Sequence, residues 1–217
     1  KFPRANMNWK RIPKVLHNIT FEVSGDPDWT PYHLMFTPVV EKAIEESSEA
    51  MRDKSAGNTA AQSIRQFIRQ YPRFPMFKNH LFTYYYLRGE TVAAQQVIDE
   101  CLQAHPDYFY NGIMQATLWM RSDADRPKLP VLMRGWNIIA YAGRNKFVEH
   151  EVRGYYLLAA EYYLWTMQVD QADGFVYFLE AASPEPDHPN IGALRKKVTE
   201  VQKLMQKARG YWVKKDK

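Results

Sequence analysis

Residues 81–106, LFTYYYLRGETVAAQQVIDECLQAHP, decide the predicted fold because they form one unit of an internal repeat. Small, apolar and proline positions of this unit recur 34 residues earlier, in the pairs Ala60 and Ala94, Ile64 and Ile98, and Pro72 and Pro106. A fixed period of about 20–50 residues is typical of stacked supersecondary units that cannot bury their apolar faces alone. The pattern therefore predicts helical hairpins, each ended by a proline or another break.

Two later segments repeat the second helix of this unit in weaker form. The offsets of 4, 3 and 5 residues relate Ala94, Ile98, Cys101 and Pro106, and they also relate Gly174, Phe178, Ala181 and Pro186. The offsets of 4 and 3 return, without a proline, at Gly135, Ile139 and Ala142. We therefore predict four antiparallel helix hairpins, at about residues 38–72, 73–106, 107–145 and 149–186.

The second unit resembles a tetratricopeptide repeat at its landmark positions, which are Leu81, Tyr85, Gly89, Ala94, Ile98, Cys101 and Pro106. Ala94 and Cys101 are small where two helices approach closely, and Pro106 stops the second helix. The resemblance covers roughly residues 38–186 and implies an all-α, right-handed superhelix of about four hairpins. It also implies the usual role of that family, which is to bind a peptide or partner protein in a concave groove. Another kind of helical-hairpin solenoid remains the alternative.

The resemblance also implies which side chains line the groove, since the first helix of each hairpin faces the concave side in that family. The implied binding residues are Glu45, Glu49, Asn79, His80, Thr83, Tyr86, Tyr110, Ile113, Met114, Thr117, Tyr156 and Tyr163. They make one end of the groove acidic and the rest rich in tyrosine and methionine, which are adaptable anchors. We therefore expect a protein or peptide ligand with basic residues beside apolar ones. The alternative is that these aromatic stripes belong to the core.

The net charge of +5 is unevenly distributed, which bears on nucleic-acid binding. Residues 1–14 carry five basic groups and no acid, and residues 195–217 carry nine basic groups against two acids. The body, residues 15–194, holds 15 basic and 22 acidic residues, so it is unsuited to nucleic acid. The alternative is a nucleic-acid-associated scaffold that uses the basic C-terminal tail, with Tyr211 and Trp212 for stacking.

Chemistry-bearing motifs are missing from the sequence. A chain of 217 residues can form one domain or two small ones without disulfides, and its single cysteine, Cys101, falls on a small core position of the repeat. There is no phosphate-binding loop, nucleophile elbow or histidine pair at i, i+4 spacing, so we predict no catalytic residue, metal or cofactor. The acidic pair Asp123 and Asp125 keeps one alternative open, an unrecognised enzyme in the long loop of the third hairpin.

The segments that flank the repeats differ from them in composition. Residues 1–36 are rich in proline and aromatic residues, which predicts an extended segment with a short strand within residues 14–23. We hypothesise that this segment docks in the groove of the repeat domain, residues 37–188, with its basic start against the acidic first hairpin. Residues 189–217 are predicted to form a capping helix and a basic tail. An apolar stripe marks that helix, at Ile191, Leu194, Val198, Val201, Met205 and Ala208; a coiled-coil seam is the alternative.

The sequence says little about targeting. It contains no apolar run of the length that a transmembrane helix needs, so no membrane span is expected. The chain starts at Lys1 rather than at Met, which we take as a sign of trimming or processing. The compartment is unknown from the sequence, and we favour a cytoplasmic location.

Overall fold

A computed structural model describes residues 7–24, 37–53, 57–183 and 186–215. The helices are α1 (Lys14–His17), α2 (Pro38–Arg52), α3 (Gly57–Gln70), α4 (Met76–Leu87), α5 (Thr91–Ala104), α6 (Tyr110–Trp119), α7 (Leu129–Leu132), α8 (Ile138–Ala142), α9 (Glu149–Trp165), α10 (Val169–Ala182) and α11 (Pro189–Lys215). The described ranges also contain strands β1 (Glu22–Ser24) and β2 (Lys146–Val148), and short 3-10 helices at Trp9–Arg11, Arg126–Lys128 and Arg134–Trp136. The predominance of helix confirms the all-α prediction.

The chain divides into two compact units. The middle unit consists of residues 26–126, and the terminal unit joins residues 1–25 to residues 127–217. The boundary after residue 126 falls inside the third predicted hairpin, and it differs from the predicted division into 1–36, 37–188 and 189–217. The right-handed superhelix stays a prediction.

The first two predicted hairpins correspond to the packed pairs α2–α3 and α4–α5 of the middle unit. Thr37 precedes α2 and accepts a hydrogen bond from the Val40 N–H, and Pro38 suits the first turn because its missing N–H is not needed there. The small and aliphatic landmarks of the two repeats are buried as predicted, each at most 3% exposed: Ala60, Ile64, Leu81, Ala94, Ile98 and Cys101. Their burial explains the 34-residue period, since both hairpins place small and apolar residues where their helices meet.

Arginines join the first helices of successive hairpins. Arg88, at the end of α4, donates to the Asp53 carbonyl at 2.6 Å, and Arg121, after α6, donates to the Tyr86 carbonyl at 3.3 Å. Each guanidinium also lies over a tyrosine ring, at 3.6 Å for Arg88 on Tyr84 and 3.8 Å for Arg121 on Tyr86. Carbonyls at a helix C-terminus carry partial negative charge, so these cations stabilise the ends of α2 and α4.

In the terminal unit, α9 and α10 form the hairpin predicted near residues 149–186, and α11 packs against both helices. The apolar stripe of α11 is buried over its first half, where Ile191, Leu194 and Val198 are at most 3% exposed. Arg195, on the same helix, donates to Asp173 and to both carboxylate oxygens of Glu180 on α10, the latter at 2.7 and 2.6 Å. The first half of α11 therefore packs on the preceding hairpin, as the stripe predicted.

Residues 7–24 also belong to the terminal unit, and they are less extended than expected. Helix α1 occupies the start of the range in which a short strand was expected, residues 14–23, and Glu22 and Val23 at the end of that range belong to β1. This strand pairs in parallel with β2, so that Glu22 lies opposite Lys146. Phe21, which is 6% exposed, contacts the rings of Phe147, Tyr156 and Phe178, at centroid distances of 5.6, 6.4 and 6.5 Å.

The N-terminal segment meets a different acidic partner from the one we expected. Arg11 pairs with Asp173 of α10 at 3.2 Å and lies over the ring of Tyr177 at 4.2 Å, whereas we expected the acidic α2. Residues 1–6 and 25–36, which complete the predicted extended segment, lie outside the described residues. The described part of the segment is thus an integral part of the terminal unit.

The prediction of one continuous second helix in the third hairpin is wrong. Helix α7, a 3-10 turn and α8 take its place. Arg134, Gly135 and Trp136 have φ angles of 47°, 64° and 67°, which interrupt a right-handed helix. At Arg134 and Trp136, which carry side chains, such an angle costs about 1–3 kcal/mol each, whereas glycine adopts it freely. Burial of the Trp136 ring, 1% exposed and in contact with Tyr155 and Tyr162, offsets part of that cost.

A methyl group added at Gly174 should displace the N-terminal segment. A Cβ atom there would lie 2.5 Å from the Arg11 carbonyl oxygen and 2.8 Å from Cδ of Pro13, both closer than van der Waals contact. We expect Gly174→Ala to lower the free energy of unfolding by about 1–3 kcal/mol and to make residues 7–24 accessible to proteases. Urea unfolding and mapping of early proteolytic cuts measure the two effects.

Gly192→Ala, in α11, is the matched control because its Cβ position has no atom within 4 Å beyond its chain neighbours and the helix's own backbone. It should leave stability unchanged or raise it slightly, since alanine favours helix. Equal effects of the two substitutions would contradict the close approach at Gly174.

Candidate functional site

Most of the predicted groove residues lie on α2, α4 and α6, the first helices of three successive hairpins, and all three belong to the middle unit. Helix α4 contacts both α2 and α6, so the three helices form one row. On α4, the partly exposed positions Met76, Asn79, His80 and Thr83 recur at intervals of three and four, which places them on one face of the helix. We call the surface formed by the predicted residues of these helices the α2/α4/α6 face.

The α2 part of this face is acidic. Glu45 and Glu49 are both exposed, and their spacing of four residues puts them on one side of the helix. Glu46, between them, lies 3.8 Å from Lys42 in an ion pair open to solvent. Such exposed pairs contribute little to stability, so the net charge of this helix remains available to a ligand.

His80 joins α4 to α2 beneath the face. Its Nδ1 atom lies 2.6 Å from the hydroxyl of Ser47, which is completely buried, and its ring packs edge-on against Phe77. Burial lowers the pKa of His80 to about 4, and the nearby positive charge of Arg52 lowers it as well. The ring is therefore neutral at neutral pH and acts as a structural link rather than as a charged contact.

Two predicted threonines are engaged with their own helices. The hydroxyl of Thr83 donates to the Asn79 carbonyl at 2.9 Å, and that of Thr117 donates to the Ile113 carbonyl at 2.7 Å. These are the i to i−4 bonds that threonine commonly forms inside helices. All four residues are partly exposed, so the face offers their aliphatic atoms and the Asn79 amide to a ligand.

The tyrosines of the face are held by neighbouring rings. Tyr86 stacks on Phe82 at a centroid distance of 5.7 Å and carries the Arg121 guanidinium on its ring. Tyr110 contacts Tyr108 and Phe109, each at 5.5 Å. Arg121 is also one of the groove positions that the resemblance implies for the third hairpin, and it follows Arg88 by almost one repeat.

Two predicted binding residues are core residues, and their place in the groove is corrected. Met114 is 1% exposed within the core of the middle unit, and Tyr156 is 0% exposed between Phe21 and the stacked ring of Phe175. Burial raises the pKa of Tyr156. Tyr163 is partly exposed and stacks on Phe175 at 5.6 Å. Because Tyr156 and Tyr163 belong to the terminal unit, the candidate site is restricted to the middle unit.

The acidic pair considered for an enzyme lies in a hydrogen-bonded turn. Arg126 pairs with Asp123 at 2.8 Å, and the Ser122 hydroxyl donates to Asp125 at 2.8 Å. The described residues contain no group of three or more histidine, cysteine, aspartate or glutamate side chains that could hold a metal ion. Burial raises the pKa of Cys101 to about 11, so this thiol stays protonated at neutral pH.

Two further predictions concern nucleic acid, which would bind the basic C-terminal tail, and the membrane, which no helix was expected to span. Tyr211 and Trp212, which the nucleic-acid alternative uses, have side chains outside the described residues. Among the helices of the described residues, none has the length and apolar character needed to cross a membrane.

Comparisons with known proteins found no matching family model, no matching curated protein and no matching solved structure. The resemblance to tetratricopeptide repeats therefore stays a prediction. The chemistry of the α2/α4/α6 face is then the main indication of function.

Acidification should destabilise the protein through His80. The folded pKa is about 4 and the unfolded value 6.5, so between these values the unfolded chain binds the proton more strongly. The stability associated with neutral His80 is therefore present above about pH 6.5 and is lost as the pH falls towards 4. We expect a loss of about 2 kcal/mol by pH 5 from this residue, measured by urea unfolding.

The His80→Gln variant should lack this part of the pH dependence, since glutamine does not titrate and its amide can still form a hydrogen bond with the Ser47 hydroxyl. His188→Gln, before α11, is the control for the loss of a histidine, and it should retain the part of the pH dependence that His80 contributes. If His80→Gln lost as much stability on acidification as the parent protein, the assignment to His80 would be wrong.

Proposed function

We propose that this chain is a non-catalytic interaction module that binds a peptide or a segment of a partner protein on the α2/α4/α6 face. The observation that carries this proposal is the row of three first helices in the middle unit. The row has exposed carboxylates on α2 and partly exposed aromatic and aliphatic side chains on α4 and α6. These are the features of a surface that selects a ligand by both charge and apolar contact.

The carboxylates favour a ligand with lysine or arginine. Exposed ion pairs contribute about 0.2–1 kcal/mol each and weaken as salt is added, so Glu45 and Glu49 supply selectivity and speed of association more than affinity. Tyr86, Tyr110 and Ile113 supply the apolar anchor sites, since rings that are already half-buried lose little further freedom on binding. We therefore expect basic residues of the ligand near α2 and its apolar residues near α4 and α6.

The contacts beneath the face favour binding because they hold its side chains in place. Arg121 orients the Tyr86 ring, and the bond between Ser47 and His80 connects α2 to α4. A surface that is ordered before binding avoids much of the entropic cost of association. Arg121 is exposed, and its guanidinium retains N–H donors for a carbonyl or carboxylate of the ligand.

A peptide with defined charge tests the proposal. The probe is a short synthetic peptide in which two lysines precede leucine and phenylalanine, and its partner peptide has glutamates in place of the lysines. We expect the lysine peptide to bind in fluorescence anisotropy at low salt, and the glutamate peptide not to bind. Glu45→Lys combined with Glu49→Lys should weaken binding about tenfold, because two attractive contacts become repulsive.

The control variant combines Glu100→Lys with Asp107→Lys, which are exposed residues of the same unit outside α2, α4 and α6. It makes the same change in net charge and should bind the lysine peptide nearly as well as the parent protein. Equal losses in both double variants, or equal binding of the two peptides, would show that the face has no specific role.

A further inference from the structure

The second half of α11, which carries residues 201–208, is less covered than the first. Ile191, Leu194 and Val198 are buried against the terminal unit, whereas Leu204 is 63% exposed and Ala208 is also exposed. Val201 and Met205 are only partly buried. We call residues 201–208 the outer half of α11. Its apolar stripe continues beyond the part that α9 and α10 cover.

A cleft marks where α11 separates from the rest of its unit. It has a volume of about 510 Å³, and its lining consists of two short stretches of chain, Met167 to Gln171 and Gln202, Met205 and Gln206. Met167 is 58% exposed and has a φ angle of 59°, which is unfavourable for a residue with a side chain. Two methionines therefore border an open cleft instead of packing in the core, which is typical of adaptable binding surfaces.

The outer half is basic as well as apolar. Lys203 and Lys207 are exposed, and their spacing of four residues puts them on one side of the helix, next to Leu204. Glu45 and Glu49 on α2 have the same spacing and the opposite charge. The outer half thus has basic residues beside apolar ones, the chemistry that the α2/α4/α6 face selects.

We propose that the ligand of the α2/α4/α6 face is the outer half of α11 from a second copy of this chain. The inference rests on the proposed function, because it names the ligand of that site. In this contact Lys203 and Lys207 of one copy pair with Glu45 and Glu49 of the next. Leu204 of the first copy packs against apolar side chains of the α2/α4/α6 face of the second. The contact is an amphipathic helix bound in a groove, a common mode of recognition between proteins.

The charges also argue against the simpler pairing of two α11 helices. A coiled coil between two outer halves would bring Lys203 and Lys207 of both copies close together, and like charges at such positions repel. The contact with α2 instead joins unlike surfaces. A contact of this type is heterologous, because it joins two different surfaces. Each copy can offer its outer half of α11 to one neighbour and its α2/α4/α6 face to another, so association can continue beyond two copies.

Sedimentation velocity on the full chain tests the proposal. We expect species larger than the monomer that increase with protein concentration and decrease with added salt. Lys203→Glu combined with Lys207→Glu should raise the dissociation constant at least about tenfold, and so should Glu45→Lys combined with Glu49→Lys. The variant with all four substitutions restores opposite charges and should associate within about threefold of the parent protein.

The matched control combines Lys14→Glu with Lys196→Glu, two exposed lysines outside the outer half, and it should associate like the parent protein. Circular dichroism confirms that each variant is folded. The proposed contact would be wrong if either double variant associated like the parent protein. It would also be wrong if the variant with all four substitutions failed to associate.

The lysine peptide separates failure of this inference from failure of the proposed function. A chain that stays monomeric but binds the peptide through Glu45 and Glu49 overturns self-association and leaves the proposed function standing. A chain that neither associates nor binds the peptide contradicts both. If the contact is correct, the peptide should also dissociate the larger species, because both compete for the same face.

Discussion

The parallel contact between β1 and β2 is the constraint on which the terminal unit depends. It pairs Glu22 with Lys146, and the Glu22 N–H donates to the Asn145 carbonyl at 2.8 Å. Parallel strands need a long connection, and here that connection includes the entire middle unit. Phe21, directly before β1, completes an aromatic core with Phe147 and Tyr156. Residues 127–217 alone would expose that core to water, so the terminal unit requires both ends of the chain.

The separation of charge along the chain has a structural role in this unit. Asp173 of α10 accepts hydrogen bonds from both Arg11 and Arg195, which belong to the two basic ends of the chain. One carboxylate therefore attaches the N-terminal segment and α11 to the same helix. Lys203 and Lys207, two of the basic residues that stay exposed, are those that our self-association proposal assigns to the acidic α2.

The repeat period predicted the middle unit well because it reports on local packing. The small and apolar residues of α3 and α5, such as Ala60 and Ala94, are buried where their helices meet. The same reasoning failed at Gly135, where a glycine at the spacing of a small helical residue instead adopts positive φ. Glycine satisfies either requirement, so its spacing alone does not distinguish a close helix contact from a helix break.

The candidate site was predictable in part. The resemblance to tetratricopeptide repeats implied the side of each helix on which Glu45, Glu49 and Tyr86 lie, and these residues are exposed or partly exposed. Periodicity does not show what covers a helix face. Tyr156 occupies an expected position, but Phe21 packs on it, and Phe21 lies far away in the sequence. The contact of Arg121 with Tyr86 was not predictable for a related reason, since it joins different helices.

The sequence by itself determined where most helices form, which of their residues enter the core of the middle unit, and where the two signs of charge accumulate. Caps, breaks and the alternation of small and large side chains act over a few residues, so they are readable in order along the chain. Tertiary structure decided the division into two units, the burial of Tyr156 and Met114, and the attachment of both chain ends to α10. Those outcomes depend on contacts between distant segments, whose entropic cost is offset only when the whole core assembles.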